Sequence, residues 1–283
     1  MTAVVLALLA ALLFGLASYL GPVLSRSHSP SAVLAVGQVA AVGAAAVLLL
    51  AGRAQLPDKG SLLLGVLAGI ANGLALTAMF ESARFLPISV MAPIGATGGA
   101  VPVVVALLLG ERPHVLQLSG IPLAIVGVVL VSARRAGRSG GGGRAALQPI
   151  GLWLAGLWAV FYGTFLSLFA EASKGGRAWA VFDSRMALLV TALALPLLRG
   201  ATLRLPRSAV PLAAVNGLLI LAGVLTYGLA TATGLVSVVS VLATLSPVVT
   251  VALAVVLLHE RLARRQQVGL ALAVAGVVLL AAG

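Results

Sequence analysis

The sequence predicts an all-α integral-membrane protein with ten transmembrane helices, arranged as two inverted five-helix repeats. Three observations predict it. Hydrophobic residues make up 61% of the 283 and charged residues 8%, against a charged share of about 25% in soluble domains. Apolar runs recur at the length, about 20 residues, that an α-helix needs to cross a bilayer. Finally, the chain matches itself on a shift of 148 or 149 residues. Glu111-Arg112 falls on Glu260-Arg261, Gly120 on Gly269, Gly127 on Gly276 and Leu86 on Leu235; Gly15 falls on Gly163, Ser25 on Ser173, Gly52 on Gly200 and Pro57 on Pro206.

The first five spans are read near 3–24, 32–51, 62–80, 88–109 and 116–133. The second five are read near 151–170, 179–198, 209–230, 237–258 and 267–282. Loop chemistry separates them at Ser27-His28-Ser29-Pro30, at Leu56-Pro57-Asp58-Lys59-Gly60 and at Ser173-Lys174-Gly175-Gly176. The first repeat thus occupies 1–133 and the second 150–283. Between them, 134–149 is a flexible linker with four Arg and four consecutive glycines. The first run lacks a basic leader, is too long for the apolar core of a signal peptide, and has a spanning counterpart at 151–170, so it is expected to be a span.

An odd number of spans per repeat inserts the second repeat in the opposite sense to the first. The net charge of +12 is carried almost wholly by Arg scattered over short connections. That pattern fits charge beside a membrane and gives no basic domain for nucleic acid. If the N-terminus is cytoplasmic, the inner loops hold Arg53, Lys59, Arg112, Lys174 and Arg177. The outer loops then hold Arg26, Arg84, Arg134, Arg135, Arg138, Arg144, Arg199, Arg204, Arg207, Arg261, Arg264 and Arg265. Five against twelve favours both termini outside by the positive-inside rule. The chain has no Cys, which excludes disulfides and thiolate sites.

Ser246-Pro247-Val248-Val249 in a span, His259-Glu260-Arg261 after it, and Gly269 and Gly276 beyond resemble the EamA domain of the drug/metabolite transporter superfamily. Gly110-Glu111-Arg112, Gly120 and Gly127 repeat the pattern in the first half. The resemblance covers the whole chain and implies five-plus-five spans, with both termini in the cytoplasm, against the charge tally. Two positions depart from the family: Gly98 stands where proline is usual in the fourth span, and Gln38 where arginine is frequent in the second. The seventh span keeps Arg185.

Ionisable side chains inside a bilayer are costly and mark candidate sites. Arg185 lies in the seventh span and either faces a central cavity, binding a carboxylate or other anion, or pairs between helices. Asp183, about 200° away around the helix, is a proton carrier or a carboxylate suited to a helix start. Glu81, at the end of the third span, either carries a proton or pairs with Arg84. Glu111 and Glu260 read as caps or interfacial ion pairs, and His114 and His259 beside them as solvated.

Tyr19, Gln38, Asn72, Trp158, Tyr162, Asn216 and Tyr227 lie within spans and need partners there, from another helix or a bound solute. Trp158 lines a pocket or packs; Trp153 and Trp179 read as interface anchors. Gly65, Gly69 and Gly73 form one face for close helix approach. Pro93, Gly98 and Pro102 mark the fourth span, and Pro247 the ninth, as bent or broken, with or without a ligand role.

A two-fold hydrophobic repeat in a membrane is the usual trace of a transporter with a central site. The resemblance implies a secondary active transporter in the cell (inner) membrane that exports small organic metabolites such as amino acids by alternating access, often proton-coupled. The alternatives are a multidrug or organic-cation exporter, a lipid flippase with a groove open to the bilayer, or a channel whose flux does not saturate. Without a Gly-rich loop ending in Lys-Ser or Lys-Thr there is no ATP hydrolysis in this chain. No His-Glu-x-x-His motif or second intramembrane aspartate supports an enzyme. No cofactor or metal is expected, the partners are the solute, the bilayer and protons, and a five-plus-five repeat suffices as a monomer.

Overall fold

The structure is a computed structural model that describes residues 1–25, 27–82, 85, 94–132, 149–198, 203–246, 248–249 and 264–282. The regular elements among them are all helical. The first half contains α1 (Thr2–Ser25), α2 (Pro30–Ala51) and α3 (Lys59–Ser82). A short 3-10 turn, Thr97–Gly99, leads into α4 (Ala100–Leu108), and α5 (Val115–Ser132) follows. The second half contains α6 (Pro149–Leu198), α7 (Val210–Thr231), α8 (Val236–Ala243) and α9 (Arg264–Ala282). Among the described residues six helices are long and apolar enough to cross a membrane, and Ile94–Leu108 and Val115–Val131 are shorter apolar helices.

The expected loop at Ser173-Lys174-Gly175-Gly176 is corrected. Helix continues through Ser173, Lys174 and Gly175, and only Gly176, at φ 171° and ψ 98°, leaves it within the 50 residues of α6. One extended residue is enough to reverse the chain. The two limbs of α6 then fold back on each other. In the fourth span, Gly98 lies in the 3-10 turn, and Pro102 is the third residue of α4. The bend expected there takes the form of a tightened turn, with Pro102 in a first helical turn where its missing N–H is least costly. Pro93, Pro247, Glu260 and the linker 134–148 lie outside the described residues.

The bundle is small inside and large outside. Ala7, Ala10, Ala41, Ala68, Ala124 and Ala213 are completely buried, whereas Leu50, Leu108, Val47 and Val190 are exposed on its flanks. That distribution suits lipid, where apolar flanks need no cover and association depends on close backbone approach.

Helices of one half pack mainly on helices of the other. Along α3, Gly65 faces Asp183, Gly69 faces Ser184 and Ala187, and Gly73 faces Thr191 of the second α6 limb. The expected glycine face is therefore a helix contact. Gly37 of α2 crosses α7 backbone-to-backbone at Gly217, and Phe14 of α1 lies over Gly223. α5 and α9 run antiparallel, with Gly120 on Gly276 and Gly127 on Gly269. Gly120 and Gly269 are repeat mates, as are Gly127 and Gly276, so this contact obeys the two-fold relation implied by the sequence repeat.

Polar ties fix the ends. Asp58 caps α3, accepting the Ser61 N–H at 3.0 Å and the Ser61 hydroxyl at 2.6 Å. Gly175 sits directly against Ser61, and Gly176 against Pro57. The Trp179 indole N–H donates to the Ala54 carbonyl at 3.3 Å, so the α6 reversal is pinned to the α2–α3 loop. At the other end the Ser82 hydroxyl donates to the Gly151 carbonyl at 3.0 Å.

Two outcomes are expected. A Cβ on Gly69 would lie 2.6 Å from that of Ala187, whereas one on Gly43 meets nothing within 4 Å. Gly69→Leu should therefore destabilise by at least the ~1–3 kcal/mol of ordinary overpacking, and Gly43→Ala should be neutral or better, read as thermal unfolding of purified protein in detergent. Secondly, the Ser61 hydroxyl and N–H hold the Asp58 carboxyl below its ordinary range. A depressed folded-state pKa gives stability that is present above the unfolded value, near 4, and is lost as pH falls through the folded one. Unfolding temperature should thus drop in acid, and Asp58→Asn should flatten that drop.

Candidate functional site

Two deep polar side chains stand out because the structure leaves them unsatisfied. Arg185 is completely buried, and none of its Nε, Nη1 and Nη2 atoms has a hydrogen-bond partner. Gln38 is also completely buried, with both amide atoms unpartnered. They occupy nearly corresponding positions of the two repeats, on α2 and on the second limb of α6. The remaining site candidates are less extreme. Asn216 on α7 is buried with Oδ1 unpartnered, and its amide lies within 3.4 Å of where a Cβ on Gly21 of α1 would stand. Asn72 on α3 is buried and Tyr19 on α1 half-buried.

The α6 reversal sets the place of Arg185. Phe165 and Arg185 lie ten residues to either side of Gly175, so a helical hairpin brings them to the same depth. At about 1.5 Å per residue that depth is roughly 15 Å, half of a hydrocarbon core of about 30 Å. The guanidinium carbon stands 5.7 Å from the centroid of the Phe165 ring. Phe165 begins an aromatic ladder: Tyr162 is 6.2 Å from it, Phe169 5.8 Å, and Tyr227 6.1 Å beyond Phe169.

A desolvated cation over an aromatic face gains on the order of 2 kcal/mol. Burying an unpaired ion costs several kcal/mol even after relaxation, so the enclosed guanidinium is a net penalty. Asp183 does not relieve it, because its side chain turns to Gly65 on α3 and its Oδ2 also lacks a partner. Asp183 and Arg185 are therefore not bonded to each other. Asp183 lies seven residues past Gly176, beyond the first helical turn where the dipole acts, which removes the helix-start reading. Glu81 stands half-buried in the last turn of α3.

Other candidates have structural employment. Tyr227 is completely buried; its hydroxyl donates to the Leu166 carbonyl at 3.1 Å and lies 2.7 Å from the Ser240 hydroxyl. It joins the first limb of α6 to α7 and α8. The Trp158 indole lies against Gly95 and packs with Met79, Ile94 and Ala155. Gly98 lies against Ala159 and Gly163, letting the fourth span and α6 touch through their backbones.

Glu111 is a cap, and it acts between the halves. Gly110, at φ 92°, takes the left-handed turn that glycine permits and presents Glu111 to the start of α8. The carboxylate accepts the N–H groups of Val236 at 2.7 Å and Ser237 at 3.1 Å, and the Ser237 hydroxyl at 2.7 Å. A cavity of about 70 Å³ opens beside it, lined also by Ser167, Glu171 and Lys174. Lys174 bridges to Glu171 at 2.6 Å, and Arg185 does not line this cavity.

Phe165 and the donors to the Glu111 cap, Val236 and Ser237, were not singled out by sequence reasoning. Equal spacing about Gly175 is the signal that finds Phe165. Nothing local marks Val236 and Ser237 as partners of a residue 125 or 126 positions away.

The model of the EamA-like transporter family matches this chain twice, over residues 1–133 and 149–282. No curated protein matches it by sequence. A protein solved by crystallography has the same fold, with a TM-score of 0.79 at 18% identity over 98% of this chain and 95% of that one.

An enclosed charge without a partner carries a desolvation penalty of several kcal/mol that an apolar side chain of similar length does not. Arg185→Met should therefore raise the unfolding temperature of the detergent-solubilised protein. Glu111→Ala should lower it, by the ~1 kcal/mol typical of a lost cap. A fall with Arg185→Met would mean the guanidinium is a structural strut.

Proposed function

Because the chain belongs to the EamA-like transporter family and is a multi-pass membrane transporter, we propose that it is a secondary active exporter of small organic metabolites. Amino acids are the leading solutes, the cell (inner) membrane the location, and alternating access by a monomer the mechanism. In this reading 1–133 and 150–283 are inverted five-span repeats joined by 134–149, and the two limbs of α6 are two of the ten spans.

The observation that carries the reading is Arg185, enclosed at mid-bilayer depth with all three nitrogens unbonded. A carboxylate presents two acceptor oxygens to a guanidinium fork. Gln38, its near counterpart in the other repeat, supplies a further donor and acceptor, and Asn72, Asn216, Tyr19 and Tyr162 complete the set of polar groups assigned to the solute path. Trp158 and Tyr227 are assigned to shaping that path, since the indole packs on Gly95 and the phenol is already bonded. Proton coupling is assigned to Asp183, whose Oδ2 is enclosed without a partner, and to Glu81 at the end of α3. Arg185 favours a carboxylate-bearing solute over an organic cation.

The reading is tested in proteoliposomes holding the same unlabelled solute on the far side, with labelled leucine and glutamate and with labelled tetraethylammonium, with and without a pH gradient. Saturable amino-acid flux that depends on the gradient and falls at least tenfold in Arg185→Ala is expected. Flux of tetraethylammonium alone would move the site to the carboxylates and overturn the assignment of Arg185.

A further inference from the structure

The enclosed state of Arg185 says something about how the transporter can turn over, beyond which solute it takes. We propose that this protein is an obligatory exchanger of carboxylate-bearing solutes: it crosses its enclosed state with a solute bound and does not return empty. The inference rests on the transport reading of the Arg185 site.

An alternating-access carrier must pass through a state in which its central site is closed to both sides. In the structure Arg185 has none of its surface accessible and no partner for Nε, Nη1 or Nη2. No described carboxylate relieves the charge. Glu111 is engaged by the start of α8, Glu171 by Lys174 and Asp58 by Ser61. Asp183 is turned to Gly65, and Glu81 makes no bond to the guanidinium. The nearest stabilising contact is the face of Phe165 at 5.7 Å, which leaves every N–H unbonded.

Closing the empty site therefore strips water from a cation and returns nothing to it, and that is strongly disfavoured. Closing it around a carboxylate replaces the lost water with charge-assisted hydrogen bonds. The solute acts as the counter-ion that lowers the barrier between the outward-open and inward-open forms. Because the same arginine must be enclosed on the return, the return also needs an anion. The packing removes the easy escape of letting Arg185 swing out to solvent. It stands nine residues past Gly176 in the second limb of α6, and that limb is wedged on the glycine face of α3.

The experiment is a counterflow measurement on the full-length protein in liposomes. Vesicles loaded with labelled leucine, glutamate or pyruvate are diluted into buffer with or without the same unlabelled solute outside. For whichever probe is carried, efflux should be at least tenfold faster with solute on the far side, and close to vesicle leak without it. In Arg185→Gln, which keeps polarity and drops the charge, efflux without far-side solute should rise well above vesicle leak, so that the ratio of the two rates falls toward one. Loss of binding alone would instead leave both rates at leak and would overturn the proposal, and size-exclusion elution at the wild-type position controls for folding.

Equal wild-type efflux in the two buffers would sink the exchange proposal and leave the transport reading standing. A ratio that survives in Arg185→Gln would also overturn it, because the exchange would then not arise from the buried charge. Protein-dependent flux of none of the three probes would overturn the transport reading of the site, and this inference with it.

Discussion

Two helices that meet inside a bilayer gain little by hiding apolar side chains from each other, because lipid offers the same surroundings. What holds this bundle is how closely the backbones can come, and that is set by glycine and alanine. α3 rests its glycine row on the second limb of α6, Gly37 and Gly217 touch at the α2–α7 crossing, and α5 and α9 meet through two glycine pairs. Nearly every one of these contacts joins the first half of the chain to the second. The halves are interleaved along their whole depth, so a polar side chain in the middle, such as Arg185 or Gln38, lies between them.

Much of this was legible in the sequence because it depends on local pattern. Span ends read near 3–24, 32–51 and 62–80 compare with helices at Thr2–Ser25, Pro30–Ala51 and Lys59–Ser82, since apolar length and loop chemistry are both local properties. The glycine row of α3 could be read from its four-residue spacing. Arg185 could be singled out because a charge within an apolar run is conspicuous. The α6 reversal was read as a longer loop because Ser, Lys and two Gly look like loop residues in isolation; one residue suffices when the flanking helices lean on α3. Trp158 and Tyr227 could not be resolved, since what each touches is supplied by chain 63 to 79 residues away for the indole and 13 or 61 for the phenol. Such pairings are made by topology and leave no trace in spacing.

The two repeats differ in the charge of their buried polar side chains. Their packing glycines still obey the two-fold relation, but Gln38 and Arg185 differ by a full charge at nearly equivalent depth. Symmetry is thus kept in the glycine contacts and broken in the charge of the interior. Likewise the Glu111 carboxylate stitches the end of α4 to the start of α8, a tie between halves that spares both the exposed termini of helix backbone and the interior. The result is a frame that is nearly two-fold around an interior that is single-handed in charge.

The α5–α9 contact has an evolutionary consequence. Gly120 on Gly276 and Gly127 on Gly269 form a self-complementary surface, the kind that an identical pair of subunits makes across a dyad. A gene half this length, encoding a product threaded into the bilayer in both directions, would already possess that surface. Duplication and fusion would then have gained no new interface. They would have secured a fixed one-to-one stoichiometry of opposed protomers, and the freedom for each copy to change on its own.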